Sequence, residues 1–195
     1  QIFDENIWAV DKSCVQDQIN AISLLYRLER LGVDPGERWG DIAKYVVLNS
    51  FDQISVFLDL QFLYALARAG RPEAPEMLKK IIDRTSRDEG FGNAVWRDIA
   101  RIAAPAIFDF ARGNYYRAWQ PLSSVLPRLS EIGGSHAQRD LIRLIYLDCL
   151  LSAGKLDKAQ RILEMRRLAR PQVAWITNSL DETYRELGLS QLSER

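Results

Sequence analysis

The chain is poor in the residues that build metal centres and disulfide frameworks. Its 195 residues include one histidine, His136, and two cysteines, Cys14 and Cys149, which lie far apart in the sequence. A structural zinc site needs four ligands, and a disulfide framework needs several paired cysteines. We therefore expect no metal and no cofactor. Two widely separated cysteines also favour a reducing, cytoplasmic location.

Net charge and long apolar runs are also lacking. Twenty-six basic and twenty-six acidic residues cancel, so no overall field attracts nucleic acid or an anionic membrane. No apolar run approaches the roughly 18 to 20 residues of a membrane span. The sequence therefore predicts neither a nucleic-acid partner nor a membrane. The chain begins at Gln1, which we interpret as a processed protein, a fragment or a shortened relative of a longer one.

Helical periodicity runs almost from end to end, because apolar residues recur at steps of three and four. Four glycines, each followed by a second apolar stripe, divide the chain into helical hairpins. We place the second helix of the first hairpin from Pro35, the loop before the third hairpin at 85–93 and a last helix from Pro171 to about Leu187. In the second hairpin we predict a helix whose apolar stripe starts at Ile54. The helices predicted for the last two hairpins span 94–112, with a kink at Pro105, 115–132, 136–153 and 156–169.

The hairpin breaks are regularly spaced. Successive glycines at 32, 70, 113 and 154 lie 38, 43 and 41 residues apart. In the last two hairpins the glycine is followed two residues on by Tyr115 or Leu156 and five residues on by Ala118 or Ala159, as in a tetratricopeptide repeat. We predict an all-α fold, an α-solenoid of about four such hairpins plus a C-terminal helix, in one domain over 1–195. A plain helical bundle is the alternative.

One run, 133–140, concentrates polar residues at a helix junction. Two glycines end the preceding helix, Ser135 is suited to be an N-cap, and Gln138 can complete a capping box. This explains half of the run without a ligand. His136, Arg139 and Asp140 remain as candidate binding residues, and we expect a neutral His136 because the positive helix end disfavours protonation.

The same run carries a family resemblance. Together with Leu24 to Leu28, Gly32, Val33, Arg38, Trp39, Gly113, Tyr115, Ala118 and Arg128, the run Gly-Gly-Ser-His-Ala-Gln-Arg-Asp resembles the C-terminal half of the tetratricopeptide repeat protein 38 family. The resemblance covers roughly 17–169 and implies further helical repeats before this part in longer members, whose biochemical role is not established. Where that family leads us to expect Asn-Asp-x-His, this chain has Gln61 in place of the histidine.

The sequence gives little support for a catalytic site. Cys149 lies 13 residues after His136 on one predicted helix, roughly 20 Å away, so the two cannot form a dyad. Asp59 and Asp148 fall in apolar helices, where we expect pairing with arginine. Near the start of the third hairpin, Arg97, Asp98 and Arg101 form either an ion-pair network with the fourth hairpin or part of a ligand groove. We interpret four late arginines as a solvated outer face, at positions 161, 166, 167 and 170.

The sequence favours a non-catalytic module that binds a protein or peptide through the concave face of the array. The candidate binding residues are Asp59, Arg97, Asp98, Arg101, His136, Arg139 and Asp140. The alternative is an enzyme or a small-molecule binder whose polar site lies where Asp59, Arg97, Asp98 and Arg139 converge. Ile2, Phe3, Ile7 and Trp8 predict an exposed apolar N-terminal edge that self-associates or meets missing repeats.

Overall fold

The computed structural model describes residues 2–9, 11–86 and 92–192, and within these ranges the chain contains helices and no strand. The prediction of an all-α fold is confirmed. The α-helices are α1 Val15–Arg30, α2 Arg38–Val46, α3 Val56–Arg68, α4 Glu73–Thr85, α5 Asn93–Val95, α6 Arg101–Ala111, α7 Tyr115–Val125, α8 His136–Ser152, α9 Leu156–Ala169 and α10 Ala174–Glu186. A π-helical segment, Trp96–Ala100, joins α5 to α6.

Consecutive helices pack as neighbours around one hydrophobic core. The core extends from Phe3 near the N-terminus to Tyr184 in α10. In the two hairpins α6–α7 and α8–α9, Ala118 and Ala159 have no solvent-exposed surface, as expected for the small residues of a tightly packed hairpin. No helix in the described part of the chain has the length and apolar character needed to cross a bilayer.

The same C-terminal cap ends five helices, α1, α3, α6, α8 and α10. Each has a glycine with φ between 66° and 83° just after the helix, and the next residue donates its N–H to the carbonyl five positions earlier at 2.8 to 3.0 Å. This is the Schellman cap, whose left-handed residue favours glycine because a Cβ would be strained. Four of these glycines were predicted from the sequence to end helices, and the fifth, Gly188, was not. The first helix of each hairpin therefore ends in the same way, and so does α10.

Several predicted boundaries are wrong. Helix α2 begins at Arg38 and not at Pro35, and α10 begins at Ala174 and not at Pro171. The predicted helix 115–132 divides, because α7 ends at Val125 and a 3-10 segment containing Pro127 follows over Leu126–Ile132. A proline has no N–H to donate, so it does not extend the α-helical ladder. Most of the predicted loop 85–93 lies outside the described residues.

The N-terminal prediction is also wrong in part. Phe3 and Trp8 are buried, and Trp8 donates its indole N–H to Asp41 of α2 at 2.7 Å. The first residues therefore cover the first hairpin instead of presenting an apolar edge. Ile2 is exposed, and so is Ile54, which was predicted to begin the apolar stripe of α3.

Side chains of α1 reach α8, which lies about 110 to 120 residues later in the chain. Tyr26 and Arg30 both bind Asp148, and Arg27 lies 3.8 Å from Asp140. In a straight array of repeats each unit contacts only its neighbours. The helices are therefore arranged so that the first and fourth hairpins face each other, and two cavities lie along this seam.

Candidate functional site

The first cavity, here called the inner cavity, has a volume of about 700 Å³ and contacts α1, α3, α6, α7, α8 and α10. Aromatic rings form much of its wall. Tyr26 meets Tyr64 edge to face at a centroid distance of 5.7 Å, and Tyr64 stacks on Phe110 at 6.0 Å. These rings are buried and packed on one another, so the wall of the inner cavity is rigid.

The charged groups of the inner cavity are largely paired with one another. Glu29 of α1 bonds Arg68 of α3 and accepts the indole N–H of Trp39 at 3.2 Å. Arg30 donates to Asp148 at 2.7 Å, and Tyr26 donates its hydroxyl to the same carboxylate. The expectation that Asp148 pairs with an arginine is confirmed.

Burial and pairing act on Asp148 in opposite directions. Burial raises the pKa of this carboxyl above its usual range, and Arg30 and Tyr26 oppose that rise. Burial also raises the pKa of Tyr26 well above its ordinary value, with a further contribution from the Asp148 charge. The hydroxyl of Tyr26 therefore stays protonated and serves as a hydrogen-bond donor to Asp148.

The second cavity, here called the arginine groove, has a volume of about 1110 Å³ and lies between α1 and the helices α8, α9 and α10. Its lining is mostly apolar and includes Ile19, Leu24, Leu144, Ile162, Met165 and Ile176. Arg30 and Trp175 line both cavities, and the Arg30 guanidinium lies 4.1 Å from the centre of the Trp175 ring. This cation–π pair separates the groove from the inner cavity.

Five arginines line the groove, at positions 27, 30, 143, 166 and 170, against a single carboxylate, Asp140. Asp140 is shared, because Arg166 binds it at 2.7 Å and Arg27 lies 3.8 Å from it. Arg143 and Arg170 form no ion pair within the described chain, and Nη1 of Arg143 is buried without a hydrogen-bond partner. The groove therefore has more cations than its own carboxylates can neutralise.

The crowding affects Arg27. Burial is the main cause that lowers the pKa of Arg27 below its usual value, and repulsion from Arg166 and Arg170 acts in the same direction. Asp140 opposes both effects. An anion bound in the groove would offset the repulsion among these positive charges.

The predicted site residues separate into four places. His136 and Asp140 line the arginine groove. Arg139 does not join them, because its guanidinium donates to the carbonyls of Gly133 and Gly134 and so closes the turn before α8. The capping box predicted for Ser135 and Gln138 is confirmed.

The remaining candidates lie elsewhere. Asp98 pairs with Arg97 at 3.2 Å and with Arg128 at 3.3 Å, and Arg101 is exposed. Asp59 is buried on α3 and pairs with no arginine of the described chain, so the expectation of such a pair is wrong here, and its Oδ2 has no hydrogen-bond partner. Burial, reinforced by repulsion from Asp52, raises the pKa of Asp59 to about 7. No described contact joins Asp59 or Arg139 to the Arg97–Asp98 pair, and none of these four residues lines either cavity.

Most of the residues that shape the groove were not predicted from the sequence. Arg166 and Arg170 were interpreted as part of a solvated outer face. Arg170 is exposed as predicted, whereas Arg166 is half-buried and ion-paired with Asp140, and both line the groove. A signal was available, because Ile162, Met165, Arg166 and Ala169 recur at helical steps and place apolar and basic groups on one face of α9. Within the described residues, no cluster of three or more histidine, cysteine or acidic side chains is arranged to hold a metal ion.

Comparison with models of known protein families found no match, and comparison with solved structures also found no match. The resemblance to the tetratricopeptide repeat protein 38 family stays a prediction from the sequence. The fold and the two cavities define the class at a coarser level, an all-helical protein of packed helical hairpins with an open basic groove.

Proposed function

We propose that this protein is a helical-repeat binding module that holds a segment of a partner protein in the arginine groove. The observation that carries the proposal is the groove itself, an opening of about 1110 Å³ with a mostly apolar lining. Ligand sites are typically concave, mostly apolar and marked by a few convergent polar groups. The groove has each of these properties.

The tetratricopeptide-like arrangement is part of the same proposal. Five helices end in the same glycine cap, two of the hairpins bury a small alanine at the same offset, and neighbouring helices pack in chain order. These features support an array of related helical units, and the groove takes its lining from the first helices of two of them, α1 and α8, and from α9 and α10. A cytoplasmic location stays a prediction from the sequence.

The alternative of an enzyme with a polar site at Asp59, Arg97, Asp98 and Arg139 has less support. Such a site requires these side chains to surround an open space. Asp98 is instead neutralised by Arg97 and Arg128, and Arg139 is bound to backbone carbonyls. A binding module is therefore the function that the geometry favours.

The test is selection from a displayed library of helical peptides of about 16 residues, long enough to form several turns when held by a partner. Met165→Asp places a charge in the groove at an exposed side chain, and Leu168→Asp is its matched control on the same helix outside the groove. We expect selected peptides to lose at least about ten-fold in affinity for Met165→Asp and to keep their affinity for Leu168→Asp. Failure to enrich any peptide, or an equal loss in both variants, would overturn the proposal.

A further inference from the structure

We infer that the occupant of the arginine groove is an acidic amphipathic helix of a partner protein, with carboxylates flanking one apolar face. This inference rests on the proposed function and names the chemistry of its partner.

The charge balance of the groove supports an anionic occupant. The whole chain has no net charge, yet five arginines and one carboxylate line this surface. Asp140 is already shared by Arg27 and Arg166, and Asp148 is bound by Arg30 and Tyr26 on the side of the inner cavity. Two guanidinium groups, of Arg143 and Arg170, remain for a ligand.

Arg143 gives the strongest local signal. One of its terminal nitrogens is buried and makes no hydrogen bond, which is costly for a charged donor. The residue lies on α8 and lines the groove, one turn after Asp140. A guanidinium is a fork of donors that suits a carboxylate, so an acidic side chain that binds this guanidinium from the groove would offset part of the cost of its buried charge.

The apolar lining favours a peptide helix over a nucleic acid or a small anion. Leu24, Ile162 and Met165 are among the apolar side chains of the groove, and a phosphate backbone offers nothing to cover them. An amphipathic helix in an apolar groove is an established mode of recognition, read through residues at steps of three and four.

The experiment measures the affinity of three labelled peptides for the whole protein by fluorescence anisotropy. The three share the apolar positions of the best peptide selected above and carry Glu, Gln or Lys at every flanking position. We expect the Glu peptide to bind at least about ten-fold more tightly than the Gln peptide, with an affinity that falls as salt is raised, and the Lys peptide to bind most weakly.

Variants of the groove identify the arginines responsible. Arg143→Gln and Arg170→Gln should each weaken the Glu peptide about five- to ten-fold and leave the Gln peptide unchanged. Arg161→Gln is the matched control, because Arg161 is exposed on α9 and does not line the groove. Circular dichroism of each variant checks that the helices are kept.

Each outcome decides one of the two proposals. Equal binding of the Glu and Gln peptides, both lost in Met165→Asp, would overturn the acidic preference and leave the binding function in place. Displacement of the Glu peptide from the groove by a single-stranded oligonucleotide or by vesicles of anionic phospholipid, at lower concentration than by unlabelled peptide, would overturn the peptide as occupant. Absence of binding by all three peptides would overturn both.

Discussion

The inner cavity and the arginine groove adjoin each other and share two residues, yet they differ in how far their charged side chains are paired. In the inner cavity Glu29 has Arg68 and Asp148 has both Arg30 and Tyr26. In the groove Arg27 and Arg166 share Asp140, and a buried nitrogen of Arg143 has no acceptor. A cavity whose charges are already paired contributes to stability, whereas one with unpaired cations is prepared for a ligand. Stability measurements on variants of both cavities test this contrast.

The largest effect is expected from Asp148→Ala. This change leaves the guanidinium of Arg30, itself only 11% exposed, in a buried place without its carboxylate. Removal of one partner from a buried ion pair typically costs about 3 to 5 kcal/mol, and we expect about 3 kcal/mol less free energy of unfolding in urea. A loss below about 1 kcal/mol would mean that the inner cavity is not held together by its charges.

A buried carboxylate without a partner should behave in the opposite way. The pKa of Asp59 is raised to about 7 in the folded chain, so its contribution to stability is full below about pH 4 and is lost as the pH rises through about 7. We expect Asp59→Asn to remove this dependence of stability on pH. The free energy of unfolding of the variant, relative to that of the natural chain, should then rise by about 3 kcal/mol between pH 5 and pH 8. If the free energies of unfolding in urea of the two proteins changed with pH in parallel, the raised pKa of Asp59 would be contradicted.

Tyr26→Phe tests the hydrogen bond at the centre of the seam between α1 and α8. The ring packing is kept, and only the donor to Asp148 is removed. Hydrogen bonds to charged groups are worth about 1.5 to 3 kcal/mol, so we expect about 1.5 kcal/mol less stability. A shared role in ligand binding would appear instead as weaker peptide binding at unchanged stability.

The smallest effect, and the one of opposite sign, is expected in the groove. Arg143→Met keeps the aliphatic stem and removes the unpaired guanidinium, so we expect a gain of about 1 kcal/mol in stability. The same variant should lose the preference for acidic peptides. A gain in stability with loss of binding is typical of functional sites. Destabilisation by Arg143→Met would show that the arginine supports the fold.

The helices could be predicted because their signals are local. A glycine cap, a capping box and an apolar stripe each depend on residues within about two turns. The helix breaks at Gly32, Gly70, Gly113 and Gly154 and the cap at Ser135 were therefore found from the sequence. Proline positions misled the boundaries, because Pro35 and Pro171 precede their helices by three residues.

The site could not be predicted in the same way. Arg30 meets Asp148 and Trp175, and the curvature of the whole array decides those contacts. No spacing in the sequence joins residues more than 110 positions apart. The polar run at 133–140 drew attention to the right helix, but its conspicuous Arg139 closes a turn, while Arg143, four residues on, has the unpaired charge.

The stack of Arg30 on Trp175 also has an optical consequence. Three of the five tryptophans, at positions 8, 39 and 96, are buried, whereas Trp175 is half-buried at the boundary of both cavities. A cation 4.1 Å from the ring centre perturbs the excited state of the indole. An acidic segment that draws Arg30 towards the groove would change that distance and, with it, the emission of Trp175. The fluorescence of Trp175 would therefore report the binding of a ligand in the groove.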